Sequence, residues 1–421
     1  MDIFSQTKET VLKIAKDFGF NLAKIEDFIT PNRIVEVKLH AGGKTYSAFR
    51  SQHNNNLGPY KGGIRFHQNV TREEVMALSL WMSLKCAIAG LPYGGGKGGV
   101  TINPKTLTEK ELEELSRDYV RKINNLIGPH VDVPAPDVNT NPQIMEWMVD
   151  EYIKLNSSKK TGKLDSSLYA TFTGKPLSFH GLEGREEATG FGGVVILGQL
   201  AKKLNKKPQD MTVAIQGFGN VGYFFALFAA EKGFKVVAVS DSKGGIIKNN
   251  KNSFVPLDIP LVMECKKKQG TLSGCYCAGG VCDTRGGKLI SNEQLLTLDV
   301  DVLVPAALEN VITSSNMDKI KAKIIIEMAN GPVSNEAYEY LSKKEVVIAP
   351  DILANSGGVT GSYLEWKQNL ENKKYKKRMA LTEIEQILSD AFDELWNESR
   401  SRSITLKEAA YLTAFKKILK I

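Results

Sequence analysis

The first 156 residues alternate between helical and extended hydrophobic patterns. Apolar residues recur every three or four positions over 8–18, as they do on the buried face of a helix. Apolar and polar residues alternate over 33–39 and 45–49, which predicts two strands joined by the turn at 41–43. Further helices are predicted over 71–89 and 108–126, where Thr71 and Thr108 have capping-box spacing, and over 142–152 after a Pro- and Asn-rich loop at 128–142.

A polar, glycine-dotted connector over 157–184 precedes a half with a different rhythm. There, helices and short apolar strands alternate, which is typical of a doubly wound parallel sheet covered by helices on both faces. The pattern predicts helices over 186–204 and 221–232, and strands over 212–216, 235–240, 300–304, 323–328 and 346–349. We therefore predict an α/β fold with two domains, 1–184 and 185–354, and helices of about 355–421 that pack back on the first domain.

Composition and charge are those of an ordinary globular chain. The protein has 421 residues, of which 42% are hydrophobic, and its net charge of +8 comes from 55 basic and 47 acidic residues. The short basic runs at 266–268 and 373–378 are typical of solvated helix faces. The start of the chain lacks a secretory pattern, and the apolar run 224–230 is too short to cross a bilayer. We expect a cytoplasmic protein that binds neither nucleic acid nor membranes.

The five cysteines leave two interpretations open. An odd count in a chain of this length argues against a disulfide framework. The spacing of the clustered thiols fits no zinc pattern well, so we favour an insertion loop with incidental thiols over a small metal site or a redox pair. The residues concerned are Cys265, Cys275, Cys277 and Cys282, with Cys86 apart from them. No metal site is predicted.

A single lysine among five glycines is the first candidate for chemistry. Lys97 lies within Gly94-Gly95-Gly96-Lys97-Gly98-Gly99. The stretch is not a nucleotide-binding P-loop, because Leu91 and Gly98 stand where that motif has a glycine and a hydroxyl residue. A lysine screened from water can act as a base near neutral pH. A phosphate-binding turn or a flexible loop remains the alternative.

The second candidate is a dinucleotide-binding motif at the end of a predicted strand. The segment Gly217-Phe218-Gly219-Asn220-Val221-Gly222 has the G-x-G-x-x-G spacing and opens a predicted helix. Its glycines permit a tight turn, close approach of a pyrophosphate, and close helix–strand packing. Asp241 ends the next strand and can accept hydrogen bonds from ribose hydroxyls, which favours NAD(H). Ser242 and Lys243 could instead hold a 2′-phosphate, so NADP(H) stays possible.

Taken together, these motifs and others along the chain resemble one family. The chain resembles the glutamate dehydrogenase branch of the amino-acid dehydrogenases, which also act on leucine, phenylalanine and valine. The stretches that carry the resemblance are 59–66, 81–85, 91–100, 134–137, 173–176, 188–190, 217–222, 304–307, 329–332 and 355–359. They occur in order along nearly the whole chain.

The resemblance implies a role for each site residue. It makes Lys97 the catalytic lysine, held near Asp137, and it assigns Lys85 to the substrate α-carboxylate. Lys61 and Ser362 would bind the substrate side-chain carboxylate. Ala135 and Val359 would also contact the substrate. Thr189, Asn330 and Asn355 would contact the cofactor, and Thr189 and Asn330 would lie beside its nicotinamide. The resemblance also implies that the first domain mediates assembly into a homohexamer.

The implied reaction is reversible oxidative deamination of L-glutamate to 2-oxoglutarate and ammonia. Two lysines can each bind one substrate carboxylate by charge-assisted hydrogen bonds, and their positive charge lowers the pKa of Lys97. Lys97 can then assist attack of water on the imine while Asp137 moves protons to and from nitrogen. The alternatives are a leucine, valine or phenylalanine dehydrogenase and a catalytically inactive cofactor-binding paralogue.

Two stretches depart from the pattern that the resemblance leads us to expect. Residues 179–185 replace a shorter Gly-Gly-Ser-Leu-Gly-Arg motif near the connector. Residues 275–287, which carry three of the cysteines, are longer than expected. The first departure could alter how the cofactor is seated, and the second could hold a metal, a regulatory thiol pair or a partner.

Overall fold

The computed structural model describes residues 3–157, 165–250, 253–272 and 287–420. The chain forms two compact units. The first contains Met1–Arg185, Val359–Thr382 and Tyr411–Ile421, and the second contains Glu186–Gly358 and Glu383–Ala410. In the described parts of the chain, no helix is both long and apolar enough to cross a membrane.

The first unit combines one mixed sheet with helices. Its elements before residue 186 are α1 Ile3–Asp17, α2 Leu22–Ile29, β1 Arg33–Ala41, β2 Lys44–Asn54, β3 Tyr60–His67, α3 Arg72–Ile88, β4 Gly95–Thr101, α4 Glu109–Ile123, β5 Asp132–Pro136 and α5 Pro142–Asn156. The sheet has the order β1-β2-β4-β3-β5. β1 and β2 form the predicted hairpin, β4 runs antiparallel to β2, and β3 runs parallel to both β4 and β5.

The glycine-rich stretch around Lys97 is the middle strand of this sheet, β4, and not the turn or loop that the glycines indicated. Its glycines are there because neighbours crowd the strand. A methyl group on Gly95 would collide with the carbonyl of Ser79 and the hydroxyl of Ser83 on α3, and one on Gly98 would collide with the Tyr119 hydroxyl on α4. The glycines therefore serve close packing, and Lys97 lies on a rigid element.

Two more stretches of the first unit are more ordered than the sequence indicated. The predicted loop 128–142 contains β5, whose prolines lie in a strand that pairs with β3. The described part of the connector forms 3-10 helices at Ser166–Thr171 and Leu177–Phe179. Phe172 is fully buried in the main hydrophobic cluster of this unit. The connector is therefore part of the first unit's core, because its apolar and hydroxyl side chains fill the sheet's margin.

The second unit is built on a larger sheet of the doubly wound type. Its elements up to residue 354 are α6 Ala188–Lys203, β6 Thr212–Gln216, α7 Asn220–Glu231, β7 Lys235–Asp241, β8 Gly244–Asn250, β9 Ser253–Phe254, α8 Ile259–Gln269, β10 Gly287–Ile290, α9 Asn292–Leu296, β11 Val302–Pro305, β12 Ile324–Ile326, α10 Asn335–Lys343, β13 Val347–Ala349 and α11 Asp351–Ala354. The strand order is β10-β8-β7-β6-β11-β12-β13, with β9 paired to β8.

Five neighbouring strands of this sheet are parallel, as the alternating pattern predicted. At one edge the sheet continues with two antiparallel strands, β8 and β10, which the predicted strands did not include. The sequence between β7 and β8 is only a Ser-Lys turn, too short for the crossover that a parallel pair needs. A hairpin was therefore required there.

Three helices follow: α12 Gly357–Leu370, α13 Lys377–Arg402 and α14 Leu406–Leu419. The prediction that this whole region packs on the first domain is wrong for Glu383–Ala410, which belongs to the second unit. Polar pairs tie α13 to α6 and α7 within that unit. Lys232 Nζ lies 2.6 Å from Glu385 Oε1, Gln199 donates to Ser389 at 2.7 Å, and Lys203 pairs with Asp393 at 2.6 Å.

Candidate active site

Lys97 and Asp137 form a close ion pair in the first unit. Lys97 Nζ donates to Asp137 Oδ2 at 2.7 Å, and the Lys97 side chain is 7% exposed. Asp137 directly follows β5, and Gly63 on β3 leaves the room for it, because a methyl group there would lie 2.8 Å from Asp137 Cβ. The structure thus brings together the two residues for which the sequence predicted a joint role.

A third residue, Arg65 on β3, completes this cluster and has no role in the sequence analysis. Arg65 Nε donates to Asp137 Oδ1 at 2.7 Å, and its Nη1 lies 2.5 Å from Glu74 Oε1. In the sequence, Arg65 is only one residue of the stretch 59–66 that carries the family resemblance. The alternation of residues along one strand does not reveal which side chains lie beside it on the next strand. Both oxygens of Asp137 therefore face cations.

The charges in this cluster set the proton affinities. Burial lowers the pKa of Lys97, Arg65 lowers it further, and Asp137 opposes both. Burial acts to raise the pKa of Asp137, but the positive charges of Lys97 and Arg65 outweigh it and hold that pKa well below its usual range. The arrangement holds an ionised carboxylate against an amine whose preference for the proton is reduced.

Lys61 on β3 is a second buried lysine, only 1% exposed. Its Nζ donates to the carbonyl of Val133 on β5 and to Thr173 Oγ1, both at 3.0 Å. Burial lowers its pKa to about 7, and the nearby charges of Arg185 and Arg50 add to the effect. The site thus contains a desolvated amine that gains from an anionic partner.

Arg185 is the residue that bonds Ser362, the predicted partner of Lys61. Arg185 Nη2 donates to Ser362 Oγ at 3.1 Å, and the Ser362 side chain on α12 is buried. Among the described residues, Nε of Arg185 is enclosed and has no hydrogen-bond partner. In the sequence, Arg185 is only the last residue of the departing stretch 179–185. The structure adds it as a cation near Lys61 with an unsatisfied donor.

The other predicted substrate residues lie in the same unit. Lys85 is in the last turn of α3. The charges of Lys85 and Lys61 both act to lower the pKa of the Cys86 thiol, so the two lysines lie near the same cysteine. Burial outweighs them and raises the pKa of Cys86 to about 12. Ala135 is buried on β5, and Val359 is half-buried near the start of α12.

A buried ion pair supports the Lys61 contact. Glu365 on α12 accepts hydrogen bonds from the backbone N–H of Gly174 at 2.7 Å and of Lys175 at 3.2 Å, and from Lys175 Nζ at 2.8 Å. Both charged side chains are fully buried. Glu365 thereby fixes the turn that follows Thr173, whose hydroxyl accepts a hydrogen bond from Lys61.

In the second unit, the G-x-G-x-x-G segment forms the turn between β6 and α7. Gly217 has φ +101°, a conformation that favours glycine, and a methyl group on Gly222 would collide with the Gly217 carbonyl. Gly219 and Asn220 are exposed. Within the described part of the chain, a methyl group on Gly219 would meet no atom within 4 Å, and the N-cap position of α7 provides no side-chain hydrogen bond. Unpaired N–H groups at a helix start, with open space before them, fit the pyrophosphate of a dinucleotide.

The remaining residues of this segment are held by their neighbours. Phe218 is buried, and its backbone N–H donates to the carbonyl of Ser240 at the end of β7. The Asn220 amide donates to the Glu186 carbonyl at 3.0 Å. Val221 on α7 is half-buried, and so is Thr189 near the start of α6. The turn is therefore preorganised, and its exposed edge is the backbone.

Asp241 is at the end of β7, as predicted, but its carboxylate already has protein partners. Its two oxygens accept from the backbone N–H of Lys243 at 2.9 Å and of Leu272 at 2.8 Å. Lys266 Nζ lies 3.7 Å away and donates to the Phe218 carbonyl at 2.6 Å. A carboxylate has about four acceptor positions, so room for ribose hydroxyls is left. Ser242, beside it, is exposed.

Asn330 and Asn355 are brought together by a direct contact. The Asn355 amide donates to Asn330 Oδ1 at 3.1 Å and to the carbonyl of Ala329 at 3.3 Å. Asn330 is exposed in the segment after β12, and Asn355 directly follows α11. The two amides thus define one edge of the second unit.

The described residues contain no cluster of three or more His, Cys, Asp or Glu side chains suited to a metal. Cys86 and Cys265 are both buried. The question of a thiol cluster concerns Cys275, Cys277 and Cys282, which lie outside the described residues.

Comparison with known proteins identifies the class of protein. Residues 31–154 match the family described as Glu/Leu/Phe/Val dehydrogenase, dimerisation domain, and residues 181–421 match Glutamate/Leucine/Phenylalanine/Valine dehydrogenase. The chain belongs to this family, as its resemblance led us to expect.

Within the family, the chain is similar to glutamate dehydrogenases. It is 42% identical to the NAD-specific glutamate dehydrogenase of Clostridioides difficile over 99% of this chain and 96% of the relative. It is 43% identical to the NADP-specific glutamate dehydrogenase of Saccharolobus shibatae, over 94% and 89% of the two chains. The hetero-hexameric glutamate dehydrogenase of Thermus thermophilus, solved in a Leu-bound form, aligns with a TM-score of 0.84 and 30% identity over 99% and 94% of the chains.

Proposed function

We propose that this chain is a glutamate dehydrogenase that converts L-glutamate, NAD(P)+ and water reversibly to 2-oxoglutarate, ammonia and NAD(P)H. The observation that carries the proposal is the pair of cations formed by buried Lys61 and half-buried Arg185, in the same unit as the Lys97–Asp137 pair. The full-length similarity to glutamate dehydrogenases supports the same conclusion.

Substrate choice follows from charge. L-Glutamate has a second carboxylate that can satisfy Lys61 together with the enclosed Nε of Arg185. An apolar side chain, as in leucine, valine or phenylalanine, would leave the enclosed Nε of Arg185 without a partner and the charge of Lys61 without an anion, which a binding site penalises strongly. Lys85 then remains for the α-carboxylate, and Ala135, Val359 and Ser362 line the pocket.

The chemistry depends on Lys97 and Asp137. A bound nicotinamide would supply the acceptor for the hydride that leaves the substrate Cα, and the substrate would become an imine. Lys97, with its lowered pKa, is able to deprotonate the water that attacks the imine. Asp137 holds Lys97 and is ionised in this geometry, so it can carry a proton only after one of its two cation partners moves away.

The dinucleotide would bind at residues 217–222, with its pyrophosphate at the start of α7. Asp241 favours NAD(H), because a carboxylate accepts from ribose hydroxyls and repels a 2′-phosphate. Ser242 and the nearby Lys266 would tolerate NADP(H). Thr189, Asn330 and Asn355 are the proposed contacts of the nicotinamide end.

We further propose a homohexamer, supported by the match to a dimerisation domain and by the hexameric state in the name of one solved relative. A cytoplasmic location and a role in nitrogen metabolism remain predictions, as does the absence of nucleic-acid or membrane partners.

The test is an absorbance assay at 340 nm with glutamate or leucine and with either cofactor. We expect turnover of glutamate and at most weak turnover of leucine. Lys97→Ala should lower kcat by roughly 10²- to 10⁴-fold, the range for a lost acid–base group, without weakening NADH binding. Lys105→Ala, which changes an exposed lysine shortly after β4, is the matched control. Preferential turnover of leucine, or normal activity of Lys97→Ala, would contradict the proposal.

A further inference from the structure

Glu327 is a buried carboxyl group for which the mechanism above has no use. It directly follows β12 and is 2% exposed. Its Oε2 accepts a hydrogen bond from the backbone N–H of Asp351, at the start of α11, at 3.0 Å. A carboxyl group in such a place is costly unless it is neutral or paired, so its retention needs a reason.

Asp351 links this carboxyl group to the segment that carries Asn330. Asp351 Oδ2 accepts from the backbone N–H of Gly331 at 2.9 Å, and its Oδ1 accepts from Ile352 N–H at 2.7 Å. Gly331 has φ +54°, so the chain turns sharply there. Asn355 holds the other side of the turn through Asn330 Oδ1. The position of Asn330 therefore depends on where the Asp351 carboxylate lies.

The charges around Glu327 favour its neutral form. Burial raises its pKa to about 8, and the negative charge of Asp351 adds to the effect. Lys407, at the start of α14, and hydrogen bonds from the backbone N–H groups of Asp351 and Val333 oppose the shift but do not outweigh burial. The Nζ of Lys407 donates to Asn335 at 3.1 Å and lies over the Tyr338 ring. Tyr338 on α10 also faces Glu327, and its own pKa is raised by burial and by Glu327.

We propose that Glu327 is a positioning residue which, as a neutral carboxylic acid, keeps Asp351 in place and so fixes the turn that presents Asn330 to the nicotinamide. This inference rests on the proposed function, because it takes Asn330 as a nicotinamide contact. Ionisation of Glu327 puts a second negative charge beside Asp351, displaces the Gly331 contact, and weakens binding of the nicotinamide half of the cofactor.

The experiment compares two probes, NADH and ADP-ribose, which lacks the nicotinamide. Their Kd values are measured between pH 7 and pH 9 by NADH fluorescence and by displacement of NADH. With a pKa of about 8, the neutral fraction falls about tenfold over this range. We expect the NADH Kd of the unchanged protein to rise by about that factor relative to the ADP-ribose Kd.

Two variants assign the effect. Glu327→Gln keeps the size and the hydrogen-bonding ability of the neutral acid and cannot ionise, so the ratio of NADH Kd values between pH 9 and pH 7 should fall below about twofold. Glu336→Gln removes an exposed carboxylate from the first turn of α10 and should keep the wild-type ratio.

The inference is overturned if, between pH 7 and pH 9, NADH binding by the unchanged protein weakens no more than ADP-ribose binding. This comparison does not depend on whether any variant folds. It is equally overturned if Glu327→Gln retains the full alkaline weakening. Glutamate turnover measured on the same preparations separates the two levels. If glutamate is turned over but the ratio of the NADH Kd to the ADP-ribose Kd does not change between pH 7 and pH 9, only the role of Glu327 is removed. If NADH binds but glutamate is not turned over, the proposed function is removed.

Discussion

Asp137 is held by two cations with opposite consequences for catalysis. Lys97 is the group that must exchange its proton, whereas Arg65 keeps its charge and anchors the carboxylate from the other side. Asp137 raises the pKa of Lys97, and Arg65 lowers it. The working pH of Lys97 is therefore a balance between two neighbours and burial.

This balance predicts opposite shifts from two single substitutions. Asp137→Asn removes the charge that favours protonated Lys97, so the acid limb of the kcat/KM profile for glutamate should move to lower pH. Arg65→Gln removes a positive charge and should move the limb to higher pH. Asp137→Asn should also reduce kcat by roughly 10²- to 10⁴-fold. Steady-state rates between pH 5.5 and 9.5 measure both, and shifts in the same direction would refute the charge balance.

At the scale of elements, β4 shows what the sequence could not reveal. Capping boxes at Thr108 and Ser291 have a local cause, and the strand–turn–helix at 212–222 carries its signal in a few residues. In β4, by contrast, strand propensity disfavours glycine. Glycine is required there because Ser79 and Ser83 of α3 and Tyr119 of α4 pack against the strand, and no local pattern in the sequence indicates that closeness. The prolines of β5 are likewise disfavoured in strands, and the local sequence does not show that β5 is an edge strand, where proline is tolerated. Arg65 and Arg185 were missed as site residues because their partners are on distant elements.

The packing of β4 can be tested by one glycine substitution and its control. Gly95→Ala places a methyl group against Ser79 and Ser83 and should lower the free energy of unfolding by about 1–3 kcal/mol, as overpacking does. Gly198→Ala adds a methyl group within α6 that meets no described atom within 4 Å beyond the adjacent backbone of its own helix, and it should raise the free energy of unfolding by about 0.5–1 kcal/mol. Urea unfolding measures both. Equal effects of the two variants would show that crowding does not explain the glycines.

At the scale of the whole molecule, the site reduces stability. Lys61 is buried with a pKa of about 7, against an ordinary value of 10.5. Between these two pH values the unfolded chain binds more protons than the folded chain, so the unfolding free energy rises with pH through this window. Below pH 7 the full cost of burying the charge is present. A buried cation kept for a substrate carboxylate is an exchange of stability for function.

Lys61→Met should therefore stabilise the protein in a pH-dependent way. The gain in unfolding free energy over the wild type should be largest at pH 6 and should shrink as pH rises from about 7 towards 10, by at most roughly 1.4 kcal/mol per pH unit. Activity with glutamate should be lost. Denaturant unfolding at pH 6, 8 and 9.5 measures the trend, and a gain that is constant or grows with pH would refute the assignment of a desolvated Lys61.

The division of the C-terminal helices belongs to the same scale. Helical periodicity predicted α12, α13 and α14, but it does not say which unit each segment joins. Long-range contacts show which unit α13 joins, such as Leu388 against Gly192 of α6 and the pair of Lys232 with Glu385. Such long-range pairs leave no periodic signal in the sequence.

The central claim is that Lys97 binds its proton more weakly than an ordinary lysine. Competitive acylation with a trace of acetic anhydride across pH 6–11, read out by peptide mass spectrometry, gives the titration of each lysine in the folded protein. We predict that Lys97 becomes reactive at a clearly lower pH than the exposed lysines of the same chain, and that Asp137→Asn lowers its midpoint further. A Lys97 titration that coincides with theirs would contradict the proposed mechanism.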